Sequence, residues 1–427
     1  MSIAESLVLI AVGLPSWYVY KRCISNGRVE INHVATFTFG FLFYWITPLV
    51  VRIYIARVNF PLASIWSSLF RAKLIVPYAL SCIALYICFA LGDSLGLRLF
   101  REGPGRPSDK VPRLALSLVT IAGCLLLIYT AVTFRAALFR QASPTDLAAQ
   151  TARGAVTSCV ILLGVACIIL TIDRPEVPWR RRIFSGYFLT FFAGSLFMLW
   201  LGSRLYLASF LLMFAIYQSN FRGRFRLRTV ISAGIILALF FGAVGMWREE
   251  GDISGAVFNV VEEPIFISLS LAHHLRYKGI AWINPPYQLG KDFRNLIPTL
   301  ILPNKFATSK KPDVYQPLGG LNSFVSFNLN FGLIGSGAFL FLWPIMFRYF
   351  KSRPSSTLLA TMYVMCSGWL AFTFFRDAFS ISLVKAILQD SILIPAFIVG
   401  FGWFLSTACL PASNHGRFLA EARMGST

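Results

Sequence analysis

The sequence predicts an all-α integral membrane protein with eleven transmembrane helices, twelve if residues 52–73 supply another, and one large, partly helical outer loop. Three observations predict it. Of 427 residues, 56 % are hydrophobic and only 13 % charged, against roughly 25 % charged in ordinary soluble domains. The mean hydropathy is +0.67. Apolar runs of about 18 residues recur along the chain, and lipid offers backbone N–H and C=O groups no partner, so each run must be helical. This composition excludes a soluble enzyme, a disordered chain and a disulfide-built secreted domain. The formal charge of +21 does not point to nucleic acid, because most basic residues cluster at the ends of apolar runs, as orientation signals do.

Taken in order, the spans read 3–20, 34–51, 74–97, 114–134, 154–172, 183–201, 205–218, 229–247, 321–347, 356–374 and 386–407. The first has no basic segment before it and no small-residue cleavage site after it, so it reads as a span and not as a cleaved leader. Segment 52–73 carries four basic residues and an apolar stretch, and fits either an interfacial helix or a twelfth span. Cys82, Cys88, Cys124, Cys159, Cys167 and Cys366 lie within apolar runs without a Cys-x-x-Cys pair, and read as small buried hydrophobes. Alternate short loops hold 21 Lys and Arg on one side against 10 on the other. The richer side is therefore cytoplasmic, which turns the amino terminus and the loop 248–320 outward. The chain divides into spans one to eight (1–247), the outer loop (248–320), the last three spans (321–407) and a cytoplasmic tail (408–427).

The outer loop concentrates chemistry. Seven of the eighteen acidic residues lie in it, among them Glu249 and Glu250, with eight basic residues and two of the four histidines. Loops longer than about 15 residues are usually functional or disordered, and this one has apolar stretches at Val257–Val261, Ile265–Leu271 and Leu296–Leu302, broken at Asn284-Pro285-Pro286. It reads as a folded lid with short helices over an outward cavity. Arg204, in the tight turn Leu201-Gly202-Ser203-Arg204, is costly at that depth unless it faces a polar cavity or a partner; a solvated turn charge is the plainer reading. Arg248 with Glu249 and Glu250 suits either a site or a local ion pair. His273-His274-Leu275-Arg276 puts two titratable groups beside a guanidinium, for diphosphate binding, proton transfer or simply an interfacial polar face. Zinc fits poorly, since adjacent histidines diverge on a helix and no third ligand follows at metal spacing. Arg294 and Lys305 flank an apolar run, and Arg forks suit phosphate oxygens. Asp93 and Asp390 fall within spans, where an ionisable group is a functional candidate by default, although neither has a partner recognisable from the sequence. Gly332-x-x-Gly335-x-Gly337 follows no strand, so close helix packing explains it better than a nucleotide loop.

Leu296-Ile297-Pro298, Leu302-Pro303-Asn304-Lys305, Gly319-Gly320-Leu321-Asn322-Ser323 and Asn330-Phe331-Gly332-Leu333-Ile334-Gly335 together resemble the bacterial oligosaccharide repeat-unit polymerases, the Wzy-type O-antigen and exopolysaccharide polymerases. The Gly-Ser-Arg turn at Arg204 is similar to that family's arginine after a mid-chain span. Where many members carry an acidic residue two places before Asn-Phe-Gly, this chain has Asn328. The resemblance implies a membrane glycosyltransferase of the bacterial inner membrane with a periplasmic loop. It would transfer a growing glycan from undecaprenyl diphosphate to a lipid-linked repeat unit, with no cofactor or metal and with a chain-length regulator and a flippase as partners. Cleaving a sugar–diphosphate bond requires cations on the departing phosphates and a base at the acceptor hydroxyl. Arg204, Arg276 and Arg294 would hold diphosphate with Lys305 beside them, Arg248 would shape the site, and the base would come from Glu249, Glu250 or His274. Two rivals remain: an O-antigen ligase, which uses the same donor, and a lipid-linked glycan flippase or other transporter, which often shows internal repeats and broken helices.

Overall fold

The computed structural model describes residues 2–55, 72–101, 110–135, 147–201, 204–249, 256–286, 289 and 321–409. Segment 52–73 lies mostly, and the tail 410–427 wholly, outside the described residues.

Helix α1 (Ile3–Cys23) starts on a capping box: the Ser2 hydroxyl accepts from the Glu5 N–H at 3.3 Å, and the Glu5 carboxylate accepts from the Ser2 N–H at 2.7 Å. The chain then forms a hairpin that sequence periodicity does not suggest. Asn26 (φ 50°) and Gly27 (φ 68°) supply the two left-handed positions of the turn between β1 (Ile24–Ser25) and β2 (Arg28–Val29). A third strand, β3 (Phe225–Arg226), pairs antiparallel with β2, Val29 opposite Phe225. Helix α2 (His33–Ile53) is capped by Asn32, whose side-chain oxygen accepts from the Val34 and Ala35 N–H groups at 3.0 and 3.2 Å.

Seven described helices are long and apolar enough to cross a bilayer, which makes this an all-α multi-pass membrane protein. They are α1, α2, α3 (Ala72–Leu99), α4 (Arg113–Thr133), α5 (Leu147–Asp173), α11 (Ser323–Lys351) and α14 (Ile381–Ala408). Between α5 and α11 lie α6 (Trp179–Ile183), α7 (Gly186–Trp200), α8 (Arg204–Tyr217), α9 (Leu227–Glu249) and α10 (Ala256–Tyr277); α12 (Thr357–Leu370) and α13 (Thr373–Arg376) follow α11. Spans expected at 183–201, 205–218 and 356–374 appear as α7, α8 and α12, of 15, 14 and 14 residues. At 1.5 Å per residue they reach only about 21–23 Å, less than the roughly 30 Å apolar thickness of a bilayer. Where short helices were expected in the outer loop, α10 is one helix of 22 residues running through Pro264, and from Pro264 to Leu275 it is mostly buried.

The chain divides into two compact units. The first comprises Met1–Pro104, Gly202–Pro354 and Met362–Ser391. Its centre is aromatic: Phe37 stacks on Phe89 at 3.8 Å between ring centres and leans on Phe374 and Phe375, while Trp45 meets Phe324 and Phe375 edge-on. Small residues let α3 and α11 touch. A Cβ on Gly92 would overlap the Phe341 carbonyl, and one on Gly96 would press on the Arg348 stem.

The second unit comprises Gly105–Leu201, Ser355–Thr361 and Ile392–Thr427. There α4, α5 and α7 approach through Gly123 against Leu163 and Gly194 against Val160. Arg182, counted in the sequence as an orientation charge, turns inward: it is 2 % exposed and donates to the carbonyls of Thr171, Arg174 and Val177. It thus satisfies carbonyls that the end of α5 leaves without helical partners.

Candidate functional site

All residues of the site belong to the first unit. Its helices have two recognisable ends. α8 runs from Arg204 toward Asn220, and α11 from Ser323 toward Arg348 and Lys351, so the starts of both helices share one end. Along α11 the two ends are separated by roughly 40 Å of helix. Of the sequence-predicted residues, Arg204 starts α8 at that end, and His274 meets α11 at Asn328, five positions past Ser323.

Arg204 is the first residue of α8, and Arg248 and Glu249 close α9; their backbone is described and their side chains are not. Glu250, Arg294 and Lys305 lie outside the described residues. His274 and Arg276 occupy the last turn of α10. The Arg276 guanidinium sits 5.2 Å from the Tyr277 ring centre, half-buried. The two histidines diverge: His273 rests on Tyr277 at 4.6 Å, partly exposed, whereas His274 is 4 % exposed.

His274 Nε2 lies 3.0 Å from Asn328 Oδ1. The orientation of that amide is fixed by backbone: Ala281 N–H donates to Oδ1 at 3.3 Å, and Nδ2 donates to the Ala281 carbonyl at 3.1 Å. An oxygen therefore faces the imidazole, Nε2 carries the proton, and Nδ1 is the atom able to accept one. Burial holds the His274 pKa below its ordinary value, and the Asn328 bond offsets only part of that. His273 is lowered too, by burial and by the nearby Lys278 and Arg276 charges. His274 is accordingly neutral near pH 7, as a base must be.

The same strand of backbone enters a break in α11. Gly332 has φ 65° and ψ −173° within the helix, and a Cβ there would fall about on the Trp282–Ile283 peptide, 2.6 Å from its atoms. The freed N–H groups of Leu333 and Ile334 donate to the carbonyls of Ala281 and Trp282 at 2.9 and 3.0 Å. Asn284 Nδ2 closes the other side on the Asn328 carbonyl at 2.7 Å. This corrects the reading of the glycine motif as helix packing. Gly332 is a backbone break that admits residues 281–284, whereas Gly337 does pack, 3.3 Å from Cys88 Sγ for an added Cβ.

The start of α11 is tied to three elements. Asn322 N–H donates to Ser270 of α10 at 3.1 Å, its amide reaches the Tyr44 carbonyl of α2 at 3.4 Å, and Leu321 N–H donates to the Arg376 carbonyl of α13 at 3.1 Å. Two residues beyond Arg204, Tyr206 lies within electrostatic reach of Asp377, Asp390 and Arg376 and stacks edge-on against Trp369 at 5.6 Å. Asp390 itself is 3 % exposed, on the π-helical stretch Ser380–Leu393 that opens α14. This end therefore combines guanidinium, carboxylate, phenol and neutral imidazole groups at the termini of apolar helices. Among the described residues no three His, Cys, Asp or Glu side chains converge as a metal site would require.

The opposite end holds an ionic cluster that the sequence did not disclose. Asp93 accepts from Arg348 Nε at 2.6 Å, from Tyr18 Oη at 2.7 Å and from His33 Nε2 at 3.0 Å, with Arg22 Nε 3.7 Å away. His33 lies flat on Phe347 with its Nδ1 3.3 Å from Tyr363 Oη. One layer further out, Glu30 binds Lys351 at 2.6 Å, Asn32 at 3.2 Å and Arg224 at 2.9 Å. Burial alone would raise the Glu30 pKa, but the Lys351 ammonium, the Asn32 amide and the Arg224 guanidinium together more than reverse this and hold it below the usual carboxylate range. With each carboxylate accepting three hydrogen bonds from side chains of other segments or of its own cap, the cluster pins helix ends together. The signals were present as His33 and Asp93 at or within apolar runs, but Arg22, Arg348 and Lys351 look the same as orientation charges.

No family model, no curated protein and no solved structure matches this chain.

Proposed function

We propose that this protein is a membrane glycosyltransferase that polymerises oligosaccharide units carried on undecaprenyl diphosphate. It would work at the outer face of a bacterial inner membrane, with residues 248–320 on the periplasmic side. One observation carries the reading most directly. The Asn-Phe-Gly-x-x-Gly stretch of the resemblance coincides with a helix break, and Ala281 of the inserted backbone orients the Asn328 amide on the buried, neutral imidazole of His274. A broken helix with a base beside it and arginines at the surrounding helix ends suits a substrate that is half lipid and half sugar. In this reading Arg204 and Arg276 receive the diphosphate with Arg294 and Lys305, and His274 Nδ1 or a carboxylate of the Glu249–Glu250 pair takes the acceptor proton.

The helix break also favours one rival, since discontinuous helices mark substrate sites in transporters. Here, however, the N–H groups freed at the break already have protein carbonyls as partners, so they offer nothing to an anion. Purified protein mixed with lipid-linked repeat units, without nucleotide or ion gradient, separates the two. Glycan extension supports the enzyme, and translocation without extension overturns it. In cells, Arg204→Ala should abolish long glycan chains at normal protein level; an unchanged chain-length ladder would remove Arg204 from the site.

A further inference from the structure

Beside the buried ionic cluster, α1 and α3 leave an open groove of about 290 Å³, lined by Leu14, Trp17, Lys21 and Arg22 on one wall and by Ile87 and Leu91 among others on the second. It combines two properties. Its walls are apolar and exposed on membrane-spanning helices: Trp17 is 55 % exposed, Ile87 42 % and Leu91 56 %. Its mouth, at the end of α1, is cationic. From Leu14 to Lys21 the wall rises about 10 Å, the length of the first several methylenes of an acyl chain.

The cations at the mouth are pre-positioned. Arg22 Nε donates to Tyr18 Oη at 3.2 Å and Nη2 donates to Ser94 Oγ at 2.8 Å, so the guanidinium plane is fixed across the groove with about a quarter of the side chain exposed. The Asp93 carboxylate behind it is fully buried and already engaged by Arg348, His33 and Tyr18. Lys21 stands over the Trp17 ring at 5.1 Å, which holds its ammonium on the same rim. An apolar slot ending in a fixed guanidinium and a tethered ammonium matches one amphiphile by charge and by length. Basic pockets between membrane helices are how anionic headgroups are held.

We propose that this groove binds an anionic glycerophospholipid of the surrounding leaflet, with its phosphodiester on Lys21 and Arg22 and the start of one acyl chain along Trp17, Ile87 and Leu91. The lipid anchors the end of α1 that Arg22 joins to the ionic cluster. The site is independent of the proposed glycan chemistry.

Native mass spectrometry of the full chain in nanodiscs tests it, with phosphatidylglycerol and phosphatidylcholine as the probes. Expected is one phosphatidylglycerol retained per chain in preference to phosphatidylcholine, with retention reduced about fivefold by Lys21→Ala and restored by Lys21→Arg. Trp17→Ala should weaken retention without altering headgroup preference. Both residues are exposed and outside the ionic cluster, so folding is monitored separately by the unfolding midpoint in lipid-free detergent, which should not move. Equal retention of the two lipids, or undiminished phosphatidylglycerol in Lys21→Ala, overturns the proposal. So does displacement of the lipid by soluble glycerol phosphate, which would show that the apolar walls contribute nothing, or by an equal amount of a prenyl phosphate, which would reassign the occupant.

Discussion

The amide of Asn328 decides where the proton on His274 resides, because the Ala281 peptide turns the amide oxygen toward Nε2. Burial lowers the His274 pKa, so protonation is easier in the unfolded chain. Stability from this site is therefore complete above the ordinary histidine value of about 6.5 and is lost as pH falls below it. Asn328→Asp replaces the amide by a carboxylate, which favours the imidazolium and should weaken or reverse that acid sensitivity. Unfolding midpoints in detergent at mildly acidic and neutral pH would measure it, and identical pH slopes for both proteins would refute the assignment. Glu30 behaves in the complementary way. Its pKa is held down, so the Lys351 pair contributes above the carboxylate range and is lost as pH falls through it. Lys351→Ala should cost about 1–3 kcal/mol, because it takes the buried ammonium from a carboxylate that keeps only Arg224 and Asn32, whereas the double change Glu30→Gln with Lys351→Met should cost less. Equal losses in a chemical unfolding series would show that the pair is not coupled.

At the scale of elements, α11 is two helices joined across a kink at Gly332, where residues 281–284 enter. Its glycines separate by role. Gly332→Ala forces a left-handed residue and a collision with backbone, which cannot yield as a side chain can. The conformational part alone is about 1–3 kcal/mol, and the expected result is loss of folded protein in detergent extracts. Gly337→Ala meets only Cys88 Sγ at 3.3 Å and should cost less than about 1.5 kcal/mol. If both variants were extracted at wild-type yield and melting point, the break would not be a structural requirement. Spacing alone could not tell these two glycines apart: it suits a packing stripe, and the segment that enters the break is over forty residues away in the chain.

At the scale of the whole molecule, the charge asymmetry makes a topological prediction. A cysteine introduced by Asp313→Cys should react with a membrane-impermeant maleimide in intact cells; reaction only after permeabilisation would put the loop inside and remove the proposed chemistry from the periplasm. Most native cysteines described are buried, which keeps the background low. The membrane class was legible because hydropathy accumulates over each run of about 18 residues and does not depend on what the run packs against. Seven of the eleven expected spans emerge as described helices both long and apolar enough to cross, and an eighth, 229–247, is the 23-residue α9. The shorter α7, α8 and α12 were harder to judge, since a helix buried among others can be as apolar as one that faces lipid. The candidate site was legible in its residue types and in the His274 region. The partners of His274 were not, because Ala281 acts through backbone atoms and Asn328 lies 54 positions away.

The order of residues by itself determined the membrane class, most helix positions and the concentration of titratable groups between α9 and α11, because these follow from local composition. Only the tertiary structure decided which charges are orientation signals and which are structural pins. Arg22, Arg182, Arg348 and Lys351 look alike in sequence, and each was assigned by the oxygen atoms it meets: from distant segments for Arg22, Arg348 and Lys351, and from the end of α5 and the turn after it for Arg182. The physical reason is that an ion in an apolar setting is defined by what compensates it, and compensation is a property of proximity in space.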